Sequence, residues 1–230
     1  MLKLQGVTVI YPDKTKAIDG VSFALGDREN TALIGENGAG KTSLLLAVVG
    51  ILEPSDGTVE VNGVPLSRKN ANEIRRQAGL VFQNPDDQLF MPLIYDDVAF
   101  GCRNNGLPES EVRNRVDETL KRLNITYLRD RSPLKLSGGE KRMAAIATVL
   151  AMNPSVLLFD EPTAYLDPKA KRVLAEALKN LPYPKLIATH DMAFAAEVCD
   201  RVIMLKDGRV AADGAVSLLD DDELMRNCGL

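Results

Sequence analysis

Two glycine-rich segments, one pair of adjacent carboxylates and a single histidine are the residues of this 230-residue chain whose types and spacing could carry chemistry. Gly35-Glu-Asn-Gly38-Ala-Gly40-Lys41-Thr42 has the pattern G-x-x-x-x-G-K-[ST] and stands between a strand-like and a helix-like segment, the context that pattern requires. Its glycines let backbone N–H groups close around phosphate oxygens, and the start of the following helix adds positive potential. Lys41 then reaches the β- and γ-phosphates of a nucleotide, and the Thr42 hydroxyl is placed to ligate Mg²⁺. Asn37, Ala39 and Ser43 belong to the same cradle. Average composition produces the bare pattern by chance in about one chain of this size in a hundred. An ordinary glycine-rich turn is therefore the weaker reading.

Val156-Leu-Leu-Phe-Asp160-Glu161 ends an apolar run on two carboxylates. Asp160 suits the shell of a Mg²⁺ ion bound at a phosphate loop, and Glu161 stands to polarise an attacking water, a role typically worth about 10²- to 10⁴-fold in rate. Alone, the segment reads at least as well as a strand running into the acidic turn Glu161-Pro-Thr-Ala; the glycine loop tips the balance toward catalysis. His190, the only histidine, follows the apolar Lys185-Leu-Ile-Ala-Thr189. It is either a phosphate- and water-directed imidazole or a solvated residue at a helix start, and one histidine gives no basis for a histidine metal centre. Leu136-Ser-Gly-Gly-Glu140 opens a helix, so Ser137, Gly138 and Gly139 read equally as a second anion site or as an N-cap followed by a loop.

The elements that position these residues are short strands at Leu2 to Ile10, Val21 to Leu25, Asn30 to Ile34 and Thr58 to Val61, the last followed by a turn at Asn62-Gly63. A helix runs from Lys41 through Leu44, Leu45, Val48 and Val49 to Gly50. Ala78 to Phe82 is a further strand, and Gln83 to Asn105, with no clear period, reads as a surface loop region. From Pro108 the pattern is helical, with Val112, Val116, Leu120 and Leu123 on one face. Val156 to Phe159 and Leu186 to Thr189 have the uninterrupted apolar character of parallel strands covered on both faces, with a helix carrying Val173, Leu174, Ala177 and Leu178 between them. Arg201 to Asp213 reads as a hairpin turned at Asp207-Gly208, followed by a short acidic tail. There is no internal repeat or low-complexity tract.

This is the pattern of an α/β protein, one large domain or a core with a sub-domain, with ample apolar content for its core. The balance of 28 basic and 32 acidic residues, net charge -4, gives no electrostatic reason to seek nucleic acid. Cys102, Cys199 and Cys228 are odd in number and widely spaced, which suits free thiols in a reducing compartment. The longest apolar runs, Leu44 to Leu52 and Met143 to Met152, fall short of the roughly 20 residues of a spanning helix. The first residues alternate like a strand rather than a signal peptide, so a cytosolic protein is expected.

With these motifs in this order, the chain resembles the nucleotide-binding subunit of an ATP-binding-cassette transporter over essentially its whole length. The resemblance implies a P-loop NTPase core with a mostly parallel central sheet, an antiparallel β subdomain and an inserted helical subdomain. The expected division of this single domain is 1–84 and 154–230 for the core and 85–153 for the helical part. It implies an ATPase using ATP and Mg²⁺, in which Leu136-Ser-Gly-Gly contacts the γ-phosphate of ATP held by a second cassette, a copy or a paralogue, in a head-to-tail dimer. It also assigns Tyr11 to stacking on adenine, Gln83 to a loop that senses Mg²⁺ and the membrane partner, Asp167 to cross-dimer communication and His190 to the γ-phosphate and catalytic water. The rival readings are a strand-end surface aromatic for Tyr11 and a polar strand terminus for Gln83. Two positions depart from the commoner family pattern: Glu140 stands where glutamine is usual, and Tyr165 where a glycine usually precedes Leu166-Asp167.

Val81-Phe-Gln-Asn-Pro-Asp-Asp-Gln-Leu-Phe90 and Asp97-Val-Ala-Phe-Gly101 further resemble the ATPases of energy-coupling-factor importers, which move transition metals or vitamins. The short stretch after Asp213 is more similar to the cobalt and nickel branch; a vitamin importer is the alternative. The resemblance implies a membrane T-component docking near Gln83, a substrate-specific membrane subunit, no nucleic acid partner, and a place on the cytoplasmic face of the membrane. Asp86, Asp87, Asp96 and Asp97 are read either as acceptors for arginines of the T-component or as a solvated loop. Two rival classes are a soluble cassette ATPase outside transport, disfavoured by the lack of basic surfaces and long insertions, and a non-hydrolysing cassette, disfavoured by the presence of Glu161 and His190.

Overall fold

The computed structural model describes residues 2–230. Its contacts form two compact units, one of residues up to Leu80 with Ser155–Glu161 and Pro182–Leu230, the other of Val81–Pro154 with Pro162–Leu181.

The first unit holds two sheets. In the smaller, β1 (Leu2–Ile10) lies between β2 (Lys16–Leu25) and β4 (Asp56–Val61), both antiparallel to it, with the short β5 (Val64–Pro65) at the edge beside β4. Alternation drives this: Leu2 and Leu4, then Val7 and Val9, are buried. The change from even to odd positions coincides with a register shift between Leu4 and Val7 that contains Gly6 at φ +58°. The extra residue keeps both halves of β1 facing the same core.

The second sheet has the order β10-β9-β3-β8-β7-β6, from β3 (Asn30–Ile34), β6 (Ala78–Val81), β7 (Val156–Asp160), β8 (Lys185–Ala188), β9 (Arg201–Lys206) and β10 (Arg209–Ala215). β7, β8, β3 and β9 are mutually parallel along the sheet, and β10 turns back antiparallel on β9 at Asp207-Gly208. Every residue of β7 and β8 is buried, as their unbroken apolar runs require. The crevice beyond the carboxyl ends of parallel strands is where such sheets bind ligands. β3 delivers Gly35 there, β7 ends at Asp160, and β8 ends two residues before His190. α1 (Lys41–Val48) follows β3, α2 (Ala71–Gln77) precedes β6, and α7 (Met192–Val198) and α8 (Asp222–Asn227) complete the unit.

The second unit is helical: α3 (Ile94–Asn104), α4 (Glu109–Arg122), α5 (Gly138–Leu150) and α6 (Pro168–Lys179), with α5 packed on the other three. Val112, Val116 and Leu120 of α4 are buried as the period predicts.

The structure corrects one reading and adds two helices that the sequence pattern did not show. The segment 83–105 is not all loop, because α3 occupies half of it and buries Ile94, Val98 and Cys102 at four-residue spacing. The acidic residues that masked this period are in its first turn, where Asp96 and Asp97 favour a helix start. α2 went unanticipated because it buries only Ile74. The acidic tail is also ordered: Asp221 accepts from the Glu223 and Leu224 amides to start α8, and Cys228 beyond it is buried. Among the described residues no helix is long and apolar enough to cross a membrane.

Candidate active site

The phosphate-type loop is built by close packing. Gly40 has φ +102°, and a Cβ there would run into the Ala17 carbonyl and Ile18 of β2; a Cβ on Gly35 would meet the Leu205 carbonyl of β9. Gly38 is also left-handed, at φ +87°. Gly35, Ala39, Gly40, Lys41 and Ser43 are buried while Glu36, Asn37, Gly38 and Thr42 face solvent, so the loop presents an open rim on a fixed base. The Lys41 ammonium bends back over it, donating to the carbonyls of Gly35 at 2.7 Å and Glu36 at 3.1 Å. Burial pushes its pKa down, opposed by Glu161 and Asp160. A cation held by two carbonyls of the loop is placed to meet an anion there.

The carboxylates approach from β7. Thr42 Oγ1 donates to Asp160 Oδ1 at 3.1 Å. Neighbouring positions of an octahedron with Mg²⁺–O bonds of 2.0–2.1 Å lie about 3 Å apart, so this pair of hard oxygens fits that ion, with nucleotide oxygens and water for the rest. Among the described residues no group of three or more His, Cys, Asp or Glu side chains could hold a metal ion by itself.

Glu161 has a left-handed backbone, φ +43°, uncommon for a residue with a Cβ. Its amide donates to the Ala188 carbonyl at 2.8 Å, which fixes that conformation to β8. Its carboxylate, only 7 % exposed as a residue, lies with Oε1 3.9 Å from Lys41 Nζ and Oε2 2.8 Å from His190 Nδ1. A carboxylate only accepts, so this last bond puts a proton on Nδ1. His190 itself is exposed, and its position follows from Thr189, whose amide donates to the Leu33 carbonyl, and from Asp191, which caps α7 through the Phe194 amide. Tyr11, in the turn between β1 and β2, shares a 3.0 Å hydrogen bond with Ser43 Oγ in α1. Thus Tyr11, Gly35 to Ser43, Asp160, Glu161 and His190 are all in the first unit.

Gln83, Ser137, Gly138, Gly139 and Asp167 are in the second. Ser137 is the N-cap of α5 in a reciprocal capping box with Glu140. Asp167 is the N-cap of α6, accepting from the Ala170 amide at 2.8 Å. Tyr165, beside it, is 91% exposed with φ +62°. The side chain of Gln83 is exposed while its backbone is pinned. Arg142, 1% exposed, donates to the carbonyls of Phe82 and Gln83, both at 2.6 Å. Gln88 accepts from the Phe82 amide and donates to Ala145 and Thr148 of α5. Sequence reasoning passed over Arg142 and Gln88; the one available signal was an arginine on the apolar side of a helix.

The acidic segment near Gln83 is spoken for within the chain. Asp86 binds Lys141 at 2.6 Å, Asp87 accepts from Asn84, and Asp96 pairs with Arg103. Asp97 is buried and accepts the Phe90 and Met91 amides, with burial pushing its pKa up.

A family model described as ABC transporter matches residues 18–164. A putative ABC transporter ATP-binding protein of Geobacter sulfurreducens is 47% identical over 221 residues, 96% of this chain and 89% of that protein. The energy-coupling factor transporter ATP-binding protein EcfA of Carboxydothermus hydrogenoformans is 44% identical over 232 residues, 100% of this chain and 86% of that one. Among solved structures, cbiO1 of Clostridium perfringens, part of the ABC transporter complex cbiONQ, aligns with a TM-score of 0.86 and 40% identity over 98% of this chain and 92% of that one. The dimeric ATP-binding cassette MJ0796, in a post-hydrolysis state bound to ADP and Pi, aligns with a TM-score of 0.82 and 28% identity over 94% and 99%.

Proposed function

The chain belongs to the ABC transporter family of ATP-binding proteins and is an ATPase, and from that premise we propose that it powers an energy-coupling-factor importer of cobalt or nickel ions as a head-to-tail dimer around two ATP molecules. The observation that carries the hydrolytic part of this reading is the joint hold of Lys41 and His190 on Glu161 at the carboxyl ends of the parallel strands.

The amides of Gly35 to Thr42 and the Lys41 ammonium bind the β- and γ-phosphates, and Tyr11 stacks on the base. Thr42 and Asp160 would hold Mg²⁺, and the family resemblance assigns Gln83 to the same ion; when bound, the ion neutralises charge on the phosphate oxygens. Glu161 takes a proton from the water that attacks the γ-phosphate in line, with no covalent enzyme intermediate. His190 keeps Glu161 aimed and faces the γ-phosphate. Ser137, Gly138 and Gly139 bind the ATP of the partner cassette, and Asp167 carries the coupling between the two sites. The solved dimer with ADP and Pi supports both the hydrolysis and the two-cassette arrangement.

The cargo and partners rest on the likeness to EcfA proteins and to cbiO1 of the cbiONQ complex. By that likeness the chain works at the cytoplasmic face of the membrane with a T-component and a substrate-specific membrane subunit. The test is to purify the tagged protein from its own membranes in mild detergent, identify what accompanies it by mass spectrometry, and measure metal uptake in a deletion strain. A T-component with a metal-specific subunit, together with lost cobalt or nickel uptake, is the expected outcome. Recovery of vitamin-binding subunits overturns the cargo, and recovery of no membrane protein overturns the role in transport.

A further inference from the structure

Both donors of Ser137 end on one oxygen of the same chain. Its backbone N–H and its hydroxyl donate to Glu140 Oε2 at 2.9 and 2.8 Å, and the Glu140 amide donates back to Ser137 Oγ at 3.3 Å. The Tyr127 hydroxyl and Arg131 also favour the charged form of this carboxylate, the Arg131 guanidinium lying 5.7 Å from the centroid of the Tyr127 ring. These hydrogen bonds, those from Ser137 above all, hold the Glu140 carboxyl below the usual range, so it is charged at neutral pH. Tyr127, Ser137, Gly138, Gly139 and Glu140 line one cavity of about 670 Å³.

The amino terminus of the 13-residue α5 attracts anions through its partial positive charge and its unpaired amides. Here it already has one. A phosphate that takes the Ser137 hydroxyl or amide must displace a carboxylate from it, and the displaced charge stays within one helical turn. Glutamine at this position would preserve the capping box, since its carbonyl oxygen accepts the same bonds, without the charge.

We infer that Glu140 is an internal anion that occupies the donors of Ser137 in the separate subunit, a positioning residue that sets how tightly this segment closes on the partner's ATP. This rests on the reading above, in which Ser137 to Gly139 bind the nucleotide of the second cassette. Glu140 lowers the affinity of ATP-bound subunits for each other and leaves the affinity of each separate subunit for ATP untouched.

The experiment measures ATP-dependent dimerisation by sedimentation in a Glu161→Gln background, with Glu140, Glu140→Gln and Glu140→Ala. ATP binding is read in parallel by a fluorescent analogue at protein concentrations too low for dimers. Glu140→Gln tightens the dimer by about tenfold, the value of a charge-assisted hydrogen bond exchanged for a neutral one. The difference shrinks as salt screens the charge, and subunit affinity for the analogue is unchanged. Glu140→Ala, which loses the carboxylate half of the capping box, unfolds at lower temperature yet also dimerises more tightly. If Glu140 served only to cap α5, Glu140→Gln would be neutral and Glu140→Ala weaker, and either result overturns the inference. If the Glu161→Gln protein forms no ATP-dependent dimer with any residue at 140, the two-cassette reading itself fails and the inference falls with it; dimers of equal strength sink the inference alone.

Discussion

His190 holds one oxygen of Glu161 twice, with Nδ1 at 2.8 Å and the backbone amide at 3.3 Å from Oε2. The other oxygen faces Lys41, and the Glu161 backbone is left-handed. The carboxylate is therefore aimed by three contacts from two neighbours rather than by its own rotamer preference.

Glu161→Gln keeps the shape of the side chain and one oxygen to accept from His190, but gives up the charge facing Lys41 and removes the base. Phosphate release by the purified protein falls by about 10²- to 10⁴-fold while ATP binding stays within a few-fold of the original. His190→Ala leaves the base present and unaimed, so hydrolysis falls by about 10²-fold, again with little change in ATP affinity. Undiminished hydrolysis in Glu161→Gln refutes its role as the base, and a large loss of ATP affinity in His190→Ala refutes the aiming role.

Tyr11 tests the base platform. Stacking of an aromatic on a nucleotide base is worth about 1–3 kcal/mol, so Tyr11→Ala raises the Kd for ATP by about five- to a hundredfold. Tyr11→Phe loses the 3.0 Å bond to Ser43 and keeps the ring, so its Kd stays within about threefold. If calorimetry finds the two variants equally weakened, the hydroxyl and not the ring matters.

Two buried groups give opposite responses to alkali. Lys185, with its Nζ bound to Asn30 Oδ1 and the Tyr183 carbonyl, is pushed down to about 8 by burial, and the Cys199 thiol is pushed up to about 12 by burial. Unfolded, the amine titrates near 10.4 and the thiol near 8.5. From about pH 8 to 10.4 the unfolded lysine binds a proton that the folded one has released, so stability rises with pH. Above about pH 8.5 the unfolded thiol loses a proton that the folded one keeps, so stability falls. The slopes, each up to about 1.4 kcal/mol per pH unit, cancel between pH 8.5 and 10.4. Urea unfolding of Cys199→Ala shows the rise alone and that of Lys185→Met the fall alone. Superimposable curves for Cys199→Ala and the parent protein would show that the thiol is not held protonated.

The parts of this fold that could be read from the chain are those in which sequence neighbours are also spatial neighbours. Gly35 to Thr42, Val156 to Glu161 and Leu186 to His190 are contiguous runs leaving buried parallel strands, and apolar continuity marks such strands directly. α3 was hidden because its buried Asp97 counts as polar in any pattern, although its charge serves two backbone amides. The bonds of Arg142 to Phe82 and Gln83 span about sixty residues, and nothing in either segment announces the other. The capping box of Ser137 and Glu140 was legible as a spacing, but that one carboxylate oxygen takes both serine donors belongs to geometry alone.

Tyr11 and the phosphate-type loop hang from a single strand. The turn after Tyr11 leads directly into β2, Ala17 and Ile18 of β2 leave no room for a Cβ on Gly40, and Tyr11 reaches Ser43 on the far side of the loop. The ring and the start of α1 are thereby tied to each other, as the jaws of a gauge are. If the ring stacks on the base as proposed, such a site measures length: a nucleotide with one phosphate fewer would leave its last phosphorus short of Glu161, and discrimination would follow from reach rather than from reading the edge of the base.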